Sequence, residues 1–109
     1  MMDELLKLQS EICKTFAHPI RLSIIKMLCN EEMNASKILK KTRMSKANLS
    51  QHMALLKEKG IVESVKKGRS VYYKISDQRI GKACNLMSEV TLSNLRKKKD
   101  ILDKIERAF

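Results

Sequence analysis

Three thiols, two imidazoles and a dense block of ammonium and guanidinium groups are the side chains of this 109-residue chain that can do chemistry. The thiols Cys13, Cys29 and Cys84 are odd in number and lack metal-finger spacing, and His18 and His52 are the only histidines. No nucleophile and base stand at suitable spacing and there is no phosphate loop, so an enzyme is a weak reading and no cofactor or metal is expected. The basic block is more informative. Residues 35 to 79 hold 12 Lys/Arg against three acids, a balance of +9 out of the chain's +11. Spread evenly, such charge would suggest only solubility; concentrated on one stretch it is the electrostatic footprint of a polyanion site. Nucleic acid is the first partner to consider, and the double-stranded DNA reading follows from the elements below.

The elements that must position this block follow from local signals. Residues 33 to 75 contain two short helix patterns and then a Gly-turned hairpin, the outline of a winged helix-turn-helix. Asn34 is a good N-cap for the first of these helices, with Met33 before it as a staple onto Ile38. Thr42-Arg43-Met44 makes the turn. Ser45 caps the next helix, whose Leu49, Met53 and Leu56 fall at core spacing, and Gly60 sits where a left-handed residue ends it. Two β-rich runs, 61 to 65 and 70 to 75, flank Lys66-Lys67-Gly68-Arg69 as a hairpin.

Outside the block, residues 3 to 16 place Leu5, Leu8, Ile12 and Phe16 on one helical face. Pro19 starts a second helix with Leu22, Ile25 and Leu28 at core spacing. Ser76 or Asp77 caps a last helix from 78 to about 107, with Ile80, Cys84, Met87, Thr91, Leu95, Leu102, Ile105 and Phe109 at near-helical spacing. So small a body buries only about two thirds of its unfolded surface and cannot cover that stripe. A second copy would cover it, with Leu5, Leu8, Ile12, Met87, Leu95, Leu102 and Ile105 as interface candidates. The expected fold is thus mainly α with a small β-hairpin. It is one unit over 1–109, with the helix-turn-helix at about 34–59, the wing at about 61–75 and dimerisation helices at about 3–16 and 78–107.

With Leu49, Met53 and Leu56 inward, Ala47, Ser50, Gln51, Ala54 and Glu58 face outward, with Lys46 and Lys57 on one flank and Asn48 and Leu55 on the other. Small side chains let the backbone approach base edges, where Gln51 can pair with adenine and Lys46 with guanine or a phosphate. Asn48, Lys40, Lys41 and Arg43 suit phosphates, and Lys66, Lys67 and Arg69 suit the flanking backbone or minor groove. His52 lies toward the core, and of Tyr72 and Tyr73 one faces the core and one the wing surface. The rival readings are a winged-helix protein-interaction module, which would need a neutral fourth-helix face, and a sequence-neutral DNA-binding protein. Nothing approaches the roughly 18 apolar residues of a membrane span, and the start has no signal-peptide pattern, so a cytoplasmic protein with reduced thiols is expected.

At this level the chain resembles the ArsR/SmtB family of winged-helix repressors. The matching segments are Ala17-His18-Pro19-Ile20-Arg21-Leu22 with Ile24-Ile25, Met44-Ser45 through Ser50-Gln51-His52-Met53 to Gly60-Ile61-Val62, and Lys67-Gly68-Arg69-Ser70-Val71-Tyr72-Tyr73, spanning residues 12 to 77. The resemblance implies a homodimer through the first and last helices, an inverted-repeat operator and release by an inducer. It also puts Lys46, Ala47, Ser50 and Gln51 at the base-reading positions.

The family's metal sites are missing. Asn34-Ala35-Ser36-Lys37 stands where thiolate-site members have Cys-x-Cys-Asp, and Asp77-Gln78-Arg79 where zinc-site members have Asp-x-His. Lys37 and Arg79 would repel a cation. Some members sense persulfide or oxidants through one Cys in the second helix and one in the last, elements that hold Cys29 and Cys84. Cys13 and Cys84 are a second pairing if the terminal helices meet, and buried cysteines acting as small hydrophobes are the plainer alternative. The inducer, a small molecule or a thiol oxidant, is not identified by these residues.

Overall fold

The computed structural model describes residues 2–108. Five helices and three strands follow in the order α1 (Met2–Phe16), α2 (Pro19–Asn30), β1 (Met33–Asn34), α3 (Ala35–Lys41), α4 (Lys46–Glu58), β2 (Val62–Lys67), β3 (Ser70–Ile75) and α5 (Gln78–Ala108). Each of α2, α3, α4 and α5 begins at a residue suited to stop the preceding chain. Pro19 takes the first position of α2, and His18 caps it by accepting the Ile20 N–H at Nδ1, 3.1 Å away. Asn34 Oδ1 accepts from Lys37 N at 2.8 Å, and Ser45 Oγ from Asn48 N at 3.1 Å. Asp77 Oδ1 accepts from Arg79 N, so it and not Ser76 caps α5, and its carboxyl is held down to about 2 by the Arg79 guanidinium and backbone N–H.

The end of α4 is a Schellman turn. Ile61 N donates to Leu56 O and Gly60 N to Lys57 O, while Gly60 takes φ +72° and both Leu56 and Ile61 are buried. That turn passes the chain directly into β2, which pairs antiparallel with β3 from Val62↔Ile75 to Lys67↔Ser70. Only Gly68 and Arg69 remain as the loop. Gly68 at φ +63°, followed by a residue with negative φ, has the signs of a type II′ turn, whose twist matches the strands.

The structure adds a strand to the expected hairpin. Met33 and Asn34 pair with Tyr73 and Tyr72, giving a three-stranded sheet in the order β1-β3-β2. Two residues are too few to produce an alternating pattern, and Asn34 was already accounted for as a cap. Tyr73 packs on the core and Tyr72 lies under the Lys67 ammonium, as alternation along β3 requires.

The core lies between α2, α3, α4 and the sheet: Ile24, Ile25, Leu28, Met33, Ile38, Leu49, Met53, Leu56, Ile61, Val62 and Ile75. Leu22 departs from expectation. It is half-buried beside a cleft between α1, α2 and α5, and Ile24 takes the core position instead, because α2 packs on more than one side. His52 turns toward the core side, with its ring centroid 4.9 Å from that of His18. Arg21 fastens α1 to α2, its Nε donating to Thr15 O at 2.6 Å.

Among the described residues neither terminal helix contributes a fully buried apolar side chain to this core, although Phe16, Ile80 and Cys84 pack against its edge. Thr15 is the buried residue of α1, and Gly81 that of α5. Leu5, Leu8, Ile12, Met87, Leu95, Leu102 and Ile105 are 40–65% exposed. Phe109, the last position of the expected stripe, lies outside the described residues. No helix is long and apolar enough to cross a membrane among those residues.

Two consequences can be measured. A Cβ on Gly81 would stand 2.8 Å from Cys29 Sγ, so Gly81→Ala sets an overpacking cost of about 1–3 kcal/mol against a helix-propensity gain of about 1. Thermal or urea unfolding should show a loss in the wild-type background and a gain once Cys29→Ala has removed the sulfur; a gain in both would refute the close contact. Burial, then His18 and Arg21, push the His52 pKa below its usual 6.5. Between that lowered value and 6.5 the unfolded chain binds the proton more readily, so this contribution is complete above 6.5 and is lost as pH falls. Melting temperatures between pH 7.5 and 5.5 should drop, and His52→Gln should flatten the drop.

Candidate nucleic-acid interface

The orientation of α4 determines which side chains can reach a ligand. Leu49, Met53 and Leu56 are 4%, 3% and 0% exposed, so the helix is pinned on that side. Lys46, Ala47, Asn48, Ser50, Gln51, Ala54, Lys57 and Glu58 are exposed, while Leu55 and His52 are half-buried at the edges. The expected outward face is therefore present. Its N-terminal part is held by the Ser45 cap, which also aligns the free N–H groups at the positive end of the helix dipole.

Lys40 and Lys41 close α3 and Arg43 follows in the turn, all three exposed. Thr42 anchors that turn, since its N–H and Oγ1 both donate to Ile38 O, at 3.0 and 2.9 Å. Among the described residues, Lys40, Lys41, Arg43, Lys46, Lys57, Lys66 and Arg69 form no ion pair within 4.0 Å. Their charge is open to an incoming polyanion.

Lys67 differs from its neighbours on the wing. Its Nζ donates to Glu32 Oε2 at 2.6 Å and lies 5.3 Å from the Tyr72 ring centroid. The hydrogen bond pushes the Lys67 pKa up and the Glu32 pKa down. Local signals group Lys67 with Lys66 and Arg69 at the wing tip and give Glu32 no part in the wing. The only signal would have been β1, which brings the end of α2 to the sheet edge.

The structure brings Cys84 near both of its candidate partners, but in different ways. Cys29 and Cys84 are half-buried neighbours across α2 and α5: burial raises both pKa values, the Cys84 thiol raises that of Cys29 further, and Lys26 pulls that of Cys84 back. Cys13 is exposed and shares with Cys84 the lining of the cleft between α1, α2 and α5, about 900 Å³ in volume. Among the described residues no three His, Cys, Asp or Glu side chains gather as a metal site.

The sequence pattern of the arsR family of bacterial regulatory proteins matches residues 18–64, from the cap of α2 into β2. An HTH-type transcriptional regulator of Methanocaldococcus jannaschii is 35% identical over 82 residues, covering 74% of this chain and 92% of that one. The reduced form of HlyU from Vibrio cholerae superimposes with a TM-score of 0.74 at 26% identity, over 82% of this chain and 94% of that one. A homodimeric winged helix-turn-helix DNA-binding domain of Mycobacterium bovis, described as a possible ArsR-family transcriptional regulator, gives 0.81 at 26% identity, over 88% and 89%. With the capped helix pair, the hairpin wing and the exposed face of α4 in place, the chain belongs to the ArsR family and is a winged helix-turn-helix transcriptional regulator.

Proposed function

We propose that the protein is a homodimeric repressor that binds an inverted-repeat operator, with α4 of each protomer in the major groove and the wing along the flanking backbone. The observation that carries this reading is the outward face of α4, small and polar at Ala47, Ser50 and Gln51 and edged by the unpaired cations Lys46 and Lys57. Gln51 reads adenine, Lys46 contacts guanine or a phosphate, and Asn48, Lys40, Lys41, Arg43, Lys66 and Arg69 hold phosphates. A neutral protein-interaction module would not need this charge. The exposed apolar residues of α1 and α5 supply the dimer contact, in keeping with the homodimeric state of the similar M. bovis domain, and two-fold symmetry in the protein then implies a palindromic site.

A second reading concerns release. One observation favours a thiol signal: Cys29 and Cys84 are neighbours on the two helices that join the DNA-binding half to the dimer face. Their burial favours packing alone, since a raised pKa leaves little thiolate at neutral pH.

Operator titrations test the DNA reading. Log K should fall with log salt by about 0.9 per phosphate contact, and a flat response, or equal affinity for operator and random duplex, would reject sequence-specific binding. Gln51→Ala should cost about 1–3 kcal/mol at a single base position, whereas Lys66→Ala should weaken all duplexes alike. Binding by reduced, oxidised and persulfidated protein decides the thiol question. Release in one state that Cys29→Ser or Cys84→Ser abolishes would identify the signal, and indifference to all three makes both thiols structural.

A further inference from the structure

We infer that Glu32 tunes the DNA affinity of the wing by occupying Lys67 as an internal substitute for a phosphate. This rests on the DNA reading above and adds to it a residue outside the recognition helix and the wing. Three observations carry it. Among the described residues Lys66 and Arg69 form no ion pair, whereas the Lys67 ammonium lies over the Tyr72 ring and donates a hydrogen bond to the Glu32 carboxylate. Glu32 is brought there by β1, whose pairing with β3 fixes the end of α2 against the sheet. Glu31, one residue earlier, pairs instead with Lys37 on α3, so the two adjacent acids hold cations on different elements.

A carboxylate oxygen and a phosphate oxygen compete for the same ammonium protons. To contact a backbone phosphate, Lys67 either leaves Glu32, which then stands unpaired close to the DNA, or keeps it and offers the phosphate a charge already partly neutralised. If Lys67 stays, the wing meets DNA with one cation fewer. In either case Glu32 weakens binding and reduces its salt dependence. Both groups are solvent-exposed, which keeps the contact weak enough for DNA to displace. Their separation along the chain, 35 residues, makes this coupling a property of the folded sheet.

The test is a set of four full-length proteins, wild type, Glu32→Gln, Lys67→Gln and the double variant, titrated with duplex at several salt concentrations. Glu31→Gln serves as a control that removes the same charge one residue away, and thermal melting confirms that all are folded. Glu32→Gln should tighten binding by about two- to fivefold, the range of an exposed ion pair. It should also steepen the salt slope by up to about 0.9. Both gains should be markedly smaller when Lys67 is already Gln, and Glu31→Gln should give clearly less. A gain of undiminished size in the Lys67→Gln background, or an equal one for Glu31→Gln, would mean general charge repulsion and overturn the inference. Weaker binding by Glu32→Gln would also overturn it, since Glu32 would then be positioning Lys67 for the phosphate. Duplex binding by the wild type with no change in Glu32→Gln removes this inference alone. Absence of duplex binding by the wild type removes the DNA reading and the inference with it.

Discussion

The rotation of α4 about its own axis is the constraint on which the rest of the structure depends. A helix turns about 100° per residue, so burying Leu49, Met53 and Leu56 determines that Ala47, Ser50 and Gln51 point away from the core. A slip by one position would expose apolar side chains worth about 1.5–3 kcal/mol each and turn His52 outward. Capping resists movement along the axis. Ser45 holds one end, and the Schellman turn at Gly60 holds the other while placing Ile61 and Val62 in the same core. The recognition face and the wing therefore share one anchor. The distance between them is governed by that turn.

A second constraint follows from where the core lies. It is built from α2, α3, α4 and the strands, and among the described residues no buried apolar side chain comes from α1 or α5. These two helices nevertheless hold Leu5, Leu8, Ile12, Leu86, Met87, Val90, Leu92, Leu95, Ile101, Leu102 and Ile105 at 40–65% exposure. Scattered apolar residues on a surface need no explanation, whereas two amphipathic helices with whole faces uncovered indicate an association surface. In a chain with so thin a core, association and stability are coupled. α5 connects the two regions because Gly81 and Cys84 near its start pack against the DNA-binding half.

Legibility in the sequence followed the range of the interaction responsible. Asn34, Ser45 and Gly60 act within four residues of themselves, so their caps and turns could be read directly, and long periodicity located α5 almost to its ends. The α4 face was legible because three inward residues at regular spacing leave only one outward solution. Leu22 was misplaced because α2 packs against neighbours on several sides, so spacing alone could not choose between it and Ile24. β1 was missed because its pairing energy comes from β3, some 40 positions away, and a two-residue strand leaves no pattern. The Glu32–Lys67 contact depends on that strand and was hidden with it. The pairing of the thiols had the same difficulty: helical spacing assigns Cys13, Cys29 and Cys84 to elements without saying which elements touch.

The charge balance acquires a different meaning once the contacts are known. Of the 12 cations between residues 35 and 79, Lys37, Lys67, Lys74 and Arg79 are paired with Glu31, Glu32, Glu63 and Asp77. These four acids thus engage α3, the wing and the start of α5, and none of them engages a cation of α4. What stays open is the end of α3, the turn, the Lys46–Lys57 flank of α4 and the rest of the wing tip. Unpaired like charges on one small body repel each other, a cost that packing must offset in the free protein and that a polyanion relieves on binding. The same relief follows from any duplex, so it supplies affinity without choosing a sequence. In the proposed reading selection falls to Ala47, Ser50 and Gln51, short side chains without charge beside the cation Lys46.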